Sequence, residues 1–187
     1  MKNLLKALAG RLLSGYALYW IYRLDLDRLP GVDPAPYTFR ALLRAEVEAA
    51  ADEEMRAQAW YGGEDSAGFG LFEDGRLLCV QWYWFGQAYA RRRGFWTLRP
   101  DQAKSVHLYT LAEARGRGLA RILKRASALA MRERGFARLY SRIWITNASS
   151  IAVSEAIGWR RVALVIELTA RGARRPLRID VPLALRP

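Results

Sequence analysis

A short loop rich in glycine and arginine is the part of the sequence best suited to chemistry. Residues 115–120 read RGRGLA, between a predicted strand at 106–111 and a predicted helix at 119–134. Gly116 and Gly118 permit a sharp turn and a close approach of the backbone to a ligand. Because the loop opens a helix, unpaired N–H groups point out of it at the positive end of the helix dipole. With the nearby arginine side chains, these groups predict a diphosphate-binding site.

Other phosphate-binding motifs do not fit this loop. A dinucleotide fingerprint needs a third glycine and an acidic residue after the next strand, and both are missing. A P-loop needs Gly-Lys followed by Ser or Thr, which the sequence also lacks. Taken alone, the pair of glycines would equally fit a plain connecting turn.

A second polar element lies further along the chain. The strand predicted at 139–145 is followed by Asn147, a short helix that ends near Ile157, and Gly158. An asparagine in this place fits a helix N-cap with no other role. Its position relative to the glycine loop is what makes it a second candidate for ligand binding.

The remaining pattern predicts an α/β protein. Asp74 and Gly75 are a hairpin signal between strands predicted at 67–72 and 77–85. Good helix formers at 41–60 predict a helix that Gly62 ends, and two more strands are predicted at 163–169 and 177–181. Strands and helices in this order indicate a mixed central sheet flanked by helices.

The order of these elements resembles the GNAT superfamily of N-acetyltransferases. The similarity covers roughly residues 37–169 and is tight over 106–159, from the strand before the loop to the glycine and tryptophan at 158 and 159. The resemblance implies the GNAT fold for residues 37–187. It also implies an enzyme that transfers an acetyl group from acetyl-CoA directly to a small amine in a ternary complex.

The resemblance further implies where coenzyme A binds. In this family the strand before the loop is parted from its neighbour by a bulge, and the pantetheine arm lies in the gap. Backbone N–H groups near the acetyl carbonyl would act as an oxyanion hole. The implied coenzyme A contacts are Thr110, Leu111, Arg115, Gly116, Arg117, Gly118, Leu119, Ala120, Arg121 and Asn147.

The catalytic groups are less closely defined by the resemblance. Many members carry a tyrosine seven residues after the asparagine, which protonates the leaving thiolate, and this chain has Ser154 there. Water, Ser154 or Tyr109 could supply that proton. His107 and Glu54 are the candidates for the general base, and each also fits a plain structural role on its strand or helix. Glu113, beside the loop, is expected to orient it.

An aromatic stripe offers a clue to the acceptor. Trp82 and Trp84 share one face of a predicted strand, and Tyr83 and Phe85 share the other. Such rings could line an acceptor cleft for an amino sugar or a glycan precursor, or they could belong to a strand buried on both faces. The basic run at 91–93 would suit an anionic acceptor.

The composition favours a globular domain with anionic ligands. Of 187 residues, 52% are hydrophobic and 26% charged, and the net charge is +12. That charge keeps open an alternative function, acetylation of RNA-linked amines such as aminoacyl-tRNA. A single cysteine, Cys79, and a single histidine exclude an internal disulfide and a Cys/His metal cluster, so we expect no metal and a cytoplasmic protein.

The first residues form a separate basic segment at 1–29. Leu4, Leu5, Leu8, Leu12, Tyr16 and Tyr19 recur at helical spacing and predict an extra N-terminal amphipathic helix. The uncharged stretch at 12–22 is too short to span a bilayer. The helix could lie on an anionic membrane surface, pack on the domain, or contact a second subunit.

Overall fold

One mixed sheet organises the computed structural model, which describes residues 13–93 and 96–183. Its strands are β1 (Leu13–Asp25), β2 (Thr38–Leu42), β3 (Ser66–Glu73), β4 (Arg76–Trp84), β5 (Gln102–Thr110), β6 (Arg138–Trp144), β7 (Arg160–Ala170) and β8 (Leu177–Pro182). They lie in the order β2-β3-β4-β5-β6-β1-β7-β8. Only β5 and β6 pair in parallel among these described strands. The prediction of mixed strand directions is confirmed.

Helices cover both faces of the sheet near its centre. They are α1 (Arg44–Glu48), α2 (Glu53–Ala57), α3 (Gly86–Arg93), α4 (Leu119–Glu133) and α5 (Ala148–Ala156), with 3-10 turns at Gln58–Tyr61 and Ala112–Ala114. The α4 side chain of Ser127 bonds the Tyr83 hydroxyl at 2.8 Å. On the opposite face, the Trp84 indole donates to the Tyr61 carbonyl at 2.7 Å. Helix α4 and the 3-10 turn at Gln58–Tyr61 therefore pack on opposite faces of β4.

Strand β4 is the buried centre of the protein. The side chains of Trp82, Tyr83 and Trp84 are each no more than 2% exposed, so both faces of the strand are core. Gly68 on β3 makes room for the Trp82 ring, because a Cβ at Gly68 would stand 2.4 Å from it. The aromatic stripe is therefore the buried strand that one of the two sequence interpretations predicts, and it does not line an acceptor cleft.

The single helix predicted over 41–60 is wrong. The chain stays extended through Leu42 and then forms two helices of one turn and a 3-10 turn. Asp52 starts the second of these helices, since its side chain accepts a hydrogen bond from the Met55 amide at 2.7 Å. A cap of this kind starts a new helix within a run of good helix formers, so the run does not form one continuous helix.

The prediction of an N-terminal amphipathic helix is wrong wherever the structure describes that segment. Residues 13–25 form β1, an interior strand that pairs antiparallel with both β6 and β7. Tyr16 and Tyr19, which share a face in the helical pattern, lie on different faces of the strand, 75% and 0% exposed. The run of aromatic and branched residues favours a strand buried by neighbours on both sides. The leucines of the predicted helix at positions 4, 5, 8 and 12 lie outside the described residues.

Candidate functional site

A cleft opens where β5 and β6 part. Their pairing is confined to residues 102–105 against 138–141. Just beyond, the ladder between β4 and β5 shifts register, because Tyr83 opposes Ser105 and Trp82 opposes His107. Val106 is thus an extra residue, a β-bulge that bends the strand away from β6. The resulting cleft has a volume of about 580 Å³ and runs between the two strands.

The glycine loop closes one end of this cleft. Gly116 and Gly118 adopt φ of +80° and +77°, in the left-handed region that glycine tolerates best, and α4 begins at Leu119. Within residues 13–93 and 96–183, no acceptor takes a hydrogen bond from the amides of 116–120. A groove of about 480 Å³ lies between this loop and α5. Free amides at a helix start suit a diphosphate, so the loop stays the candidate for that ligand.

The arginines of the loop divide into two groups. Arg115 and Arg121 line the groove. Arg117 instead donates to the Glu73 carboxylate and, at 3.0 Å, to the Tyr37 hydroxyl. The hydrogen bond with Glu73 raises the pKa of Arg117 and lowers that of the carboxyl. Arg117 was predicted to contact the cofactor, but its side chain stabilises the outer side of the loop, as does the ion pair between Glu113 and Arg76.

Alternation along β5 decides which backbone groups face the gap. The Leu111 amide donates to the Leu78 carbonyl at 2.9 Å, and the Leu111 carbonyl accepts from Ala114. The prediction that Leu111 offers its backbone to pantetheine is therefore wrong. Because successive residues of a strand point to opposite neighbours, the backbones of Thr110 and Leu108 face β6 and the cleft. Thr110 therefore stays a candidate for pantetheine contact, although its carbonyl also accepts from Arg115 Nε at 3.2 Å, and Leu108 is a candidate that the sequence interpretation did not include.

Asn147 and Ser154 lie across the cleft from β5. The Asn147 side-chain oxygen caps α5 by accepting from the Ser150 amide at 3.1 Å, and the residue also lines the cleft. Both interpretations of Asn147 are thus compatible with the structure. Ser154 is fully buried behind the lining, and its hydroxyl donates to the Ser150 carbonyl at 2.6 Å. Its proton is already engaged, so Ser154 is a poor choice for the acid.

The other predicted catalytic residues lie on the opposite side of β5. The Tyr109 hydroxyl donates to the Glu54 carboxylate at 2.8 Å and lies 3.4 Å from that of Asp52. Desolvation and the bond with Glu54 raise the pKa of Tyr109 to about 12. The His107 ring stacks on Tyr61 with centroids 4.8 Å apart. Tyr109 is thus bonded to Glu54, and His107, two residues earlier on β5, lines the same cleft as Tyr109.

Lys124 is a cleft residue that the sequence interpretation missed. Its ammonium lies 2.5 Å from the Ser154 hydroxyl oxygen and 4.7 Å from the centre of the Trp159 ring. Burial lowers the pKa of Lys124 to about 7. Lys124 recurs at intervals of three or four residues with Ala120, Ser127 and Met131, so the helical period places it on the inner face of α4. That period was the signal available in the sequence.

Replacing Lys124 with methionine is expected to stabilise the protein in a pH-dependent way. Folding lowers the pKa of this amine, so the unfolded chain binds more protons between about pH 7 and 10.5, and wild-type stability rises with pH there. The Lys124→Met gain should be largest at and below pH 7, roughly 3–5 kcal/mol, and should shrink towards pH 10.5. Urea unfolding at several pH values measures it. A gain independent of pH would contradict a buried lysine whose pKa is lowered by folding.

Cys79 has no place in this chemistry. Burial raises the pKa of its thiol to about 12, and the sulfur lies 2.9 Å from the Thr110 hydroxyl. In the described part of the chain, no three side chains among His, Cys, Asp and Glu are placed to hold a metal ion. No helix in those same residues is long and apolar enough to cross a bilayer.

Comparison with known proteins agrees with this architecture. The model of the acetyltransferase (GNAT) family matches residues 35–159. The chain therefore belongs to the GNAT acetyltransferase family, and both the resemblance noted in the sequence and the fold it implied are confirmed. A search of curated proteins found no match.

Solved structures give the same fold. A putative GNAT acetyltransferase from Novosphingobium aromaticivorans is 25% identical with a TM-score of 0.60, over 83% of this chain and 65% of that one. A GCN5-related N-acetyltransferase from Kribbella flavida is 15% identical with a TM-score of 0.56, over 91% and 65%. The ribosomal-protein-S18-alanine N-acetyltransferase of Escherichia coli is 18% identical with a TM-score of 0.51, over 81% and 96%. This chain thus spans 65% of the length of each of the first two structures.

Proposed function

We propose that this protein is an acetyl-CoA-dependent N-acetyltransferase that transfers the acetyl group directly to a small amine in a ternary complex. The supporting observation is the parted pair of strands, β5 and β6, with a loop of unbonded amides at one end of the gap. Membership of the GNAT family adds the chemical class. Both substrates would meet in the cleft, so no covalent acetyl-enzyme is needed.

The donor would lie along the cleft from the loop inwards. Loop amides 116–120, with Arg115 and Arg121, would hold the diphosphate at the start of α4. The backbones of Leu108 and Thr110 face the gap and would pair with the amides of the pantetheine arm. Asn147 would contact the same arm from α5. The thioester would then sit near the bulge at Val106, between α4 and Tyr109.

The acceptor would approach from the side of α2. Although the protein carries a net charge of +12, this entrance holds the carboxylates of Asp52 and Glu54 beside Tyr109. Carboxylates there favour an ammonium group arriving as the substrate. The Trp60 ring is 55% exposed nearby and offers a stacking face for a sugar. An amino sugar or an amine-bearing glycan precursor is the acceptor class we propose.

Changing Glu54 to glutamine is expected to impair use of the amine. The variant removes a negative charge that accepts the Tyr109 proton and would pair with the incoming ammonium. We expect kcat/KM for the amine to fall about tenfold, which is the value of one charged hydrogen bond. Affinity for acetyl-CoA should stay unchanged in calorimetry. Glu53→Gln, at the neighbouring and likewise exposed position of the same helix, is the matched control and should behave as wild type.

Calorimetry followed by an acceptor screen tests the proposal as a whole. Wild-type protein should bind acetyl-CoA and release free thiol with at least one member of a panel of amino sugars, amino acid derivatives, polyamines and aminoacyl-tRNA. No binding at millimolar acetyl-CoA would refute the donor assignment. Binding with thiol release only in the presence of aminoacyl-tRNA would move the acceptor to the RNA-linked class.

A further inference from the structure

Transfer of an acetyl group from a thioester to an amine needs protons in two places. The amine must lose one, and the sulfur that leaves carries an electron pair that needs another. The described part of the cleft has titratable groups on both sides of β5. His107 and Tyr109, which is bonded to Glu54, are on the acceptor side, and Lys124 is on the side of α4. Lys104 also borders the cleft, but its ammonium lies over the rings of Tyr89 and Trp96. The question is which group serves the sulfur, and the answer rests on the proposed function.

The two hydroxyl candidates are already engaged. Tyr109 donates its proton to the Glu54 carboxylate, and the raised pKa of the phenol makes it a weaker acid. Ser154 donates its proton to the Ser150 carbonyl at 2.6 Å and can only accept at its other side. That other side faces the Lys124 ammonium at 2.5 Å. The hydrogen bonds therefore run from Lys124 through Ser154 to the backbone, which fixes the direction of each proton.

The Lys124 ammonium can donate further hydrogen bonds and has no charge partner among the described residues. Its side chain is 6% exposed and makes no ion pair within residues 13–93 and 96–183. Ser154 takes one of its three N–H bonds, and the residue lines the cleft with Gln81, Ser105 and Ser141. An ammonium held in this way is the group on the α4 side that developing negative charge on sulfur would meet.

We propose that Lys124 is the catalytic acid that protonates the thiolate of coenzyme A, with Ser154 as its positioning residue. The amine nitrogen forms the new C–N bond with the acetyl carbon, and the C–S bond breaks with its electron pair on sulfur. A proton moves from the Lys124 ammonium to that sulfur, which leaves free thiol and a neutral amine. The acceptor nitrogen loses its own proton to a group on the other side of β5. Solvent reprotonates Lys124 after the products leave.

Kinetics of three variants test the role. Lys124→Met should lower kcat about 100-fold with little change in the KM for acetyl-CoA, since general acids contribute on this scale. Lys124→Arg keeps the charge but holds its proton too tightly, so its kcat should also fall. Ser127→Ala, buried one turn along α4 and outside the cleft lining, is the control and should keep the wild-type kcat. A wild-type kcat in either Lys124 variant would overturn the proposal.

The pH profile separates proton donation from packing. With both substrates saturating, wild-type kcat should fall as the pH rises above about 7, where Lys124 loses its proton. In Lys124→Met this falling limb should be absent, while a purely structural role would leave the limb in place at a lower rate. Retention of the same limb in the methionine variant would overturn the assignment.

The thiol of bound coenzyme A gives a readout without turnover. An ammonium beside the sulfur lowers the thiol pKa, so the ultraviolet absorbance of the thiolate should appear at lower pH on the wild type than on Lys124→Met. Equal titrations in two variants that both bind coenzyme A would refute the role of Lys124 and leave the proposed function intact. Failure of both to bind coenzyme A would refute the proposed function, and the proton donor with it.

Discussion

Replacing Gly118 with aspartate is expected to abolish binding of acetyl-CoA. The residue has φ of +77°, and a Cβ would meet no atom within 4 Å, so the added carboxylate has room to stand at the mouth of the loop. There it would occupy the amides of the helix start and repel the diphosphate that we expect them to hold. Affinity measured by calorimetry should fall at least about 100-fold, which corresponds to some 3 kcal/mol.

A matched glycine distinguishes this effect from backbone strain. Gly172 has φ of +82°, a Cβ there would likewise meet no atom within 4 Å, and the residue lies in the turn between β7 and β8. Gly172→Asp should lose a similar amount of stability by urea unfolding and keep its affinity for acetyl-CoA. If Gly118→Asp bound acetyl-CoA as tightly as Gly172→Asp does, the loop would not be the diphosphate site.

Deleting Val106 is expected to close the cleft while leaving the protein folded. The deletion makes Ser105 and His107 adjacent, and these already oppose Tyr83 and Trp82, so the ladder with β4 becomes regular without any change of partner. Removing a bulge straightens the strand. Strand β5 would then follow β6 beyond Ser105, and the gap for the pantetheine arm would shrink. We expect an acetyl-CoA affinity at least about 100-fold weaker and a nearly unchanged Tm.

The substitution Val106→Ala is the control for the deletion. It shortens the side chain but keeps the residue count and hence the bulge, so acetyl-CoA affinity should stay within a few-fold of wild type. Calorimetry and thermal unfolding of both variants give the comparison. A folded deletion variant with wild-type affinity would show that the parting of β5 and β6 has another cause.

The sequence was most informative where local signals act alone. Helix α4 begins at the predicted Leu119, because glycines with left-handed φ and an apolar helical period define its start. The loop and Asn147, which line two sides of the cleft and groove, could also be recognised in the sequence. A tight turn and an N-cap each depend on only a few neighbouring residues. The fold class followed from the order of such elements.

Features that depend on distant partners were not predictable in this way. Arg117 is turned from the groove by Glu73, 44 positions earlier in the chain, and no local pattern marks that pair. Which residues of β5 face the gap depends on the bulge, which is visible only once β4 is alongside, so Leu111 was chosen in place of Leu108. The helical period of α4 marks Lys124 as an inner residue, but its bond to Ser154 forms only where α4 and α5 pack together. In each case tertiary contact overrode what the local residues suggest.

The place of β1 in the sheet has a consequence for how the protein acquires its fold. Residue Leu24 pairs with Leu139, and Leu18 with Ile166, so the first described strand pairs with strands that lie more than 100 residues later in the sequence. Contacts of such large sequence separation are slow to form, because a long loop has to close first. We therefore expect β1 to join the sheet after β6 and β7 are in place, whereas the glycine loop and the β5–β6 pair depend on contacts closer in the chain and can form earlier.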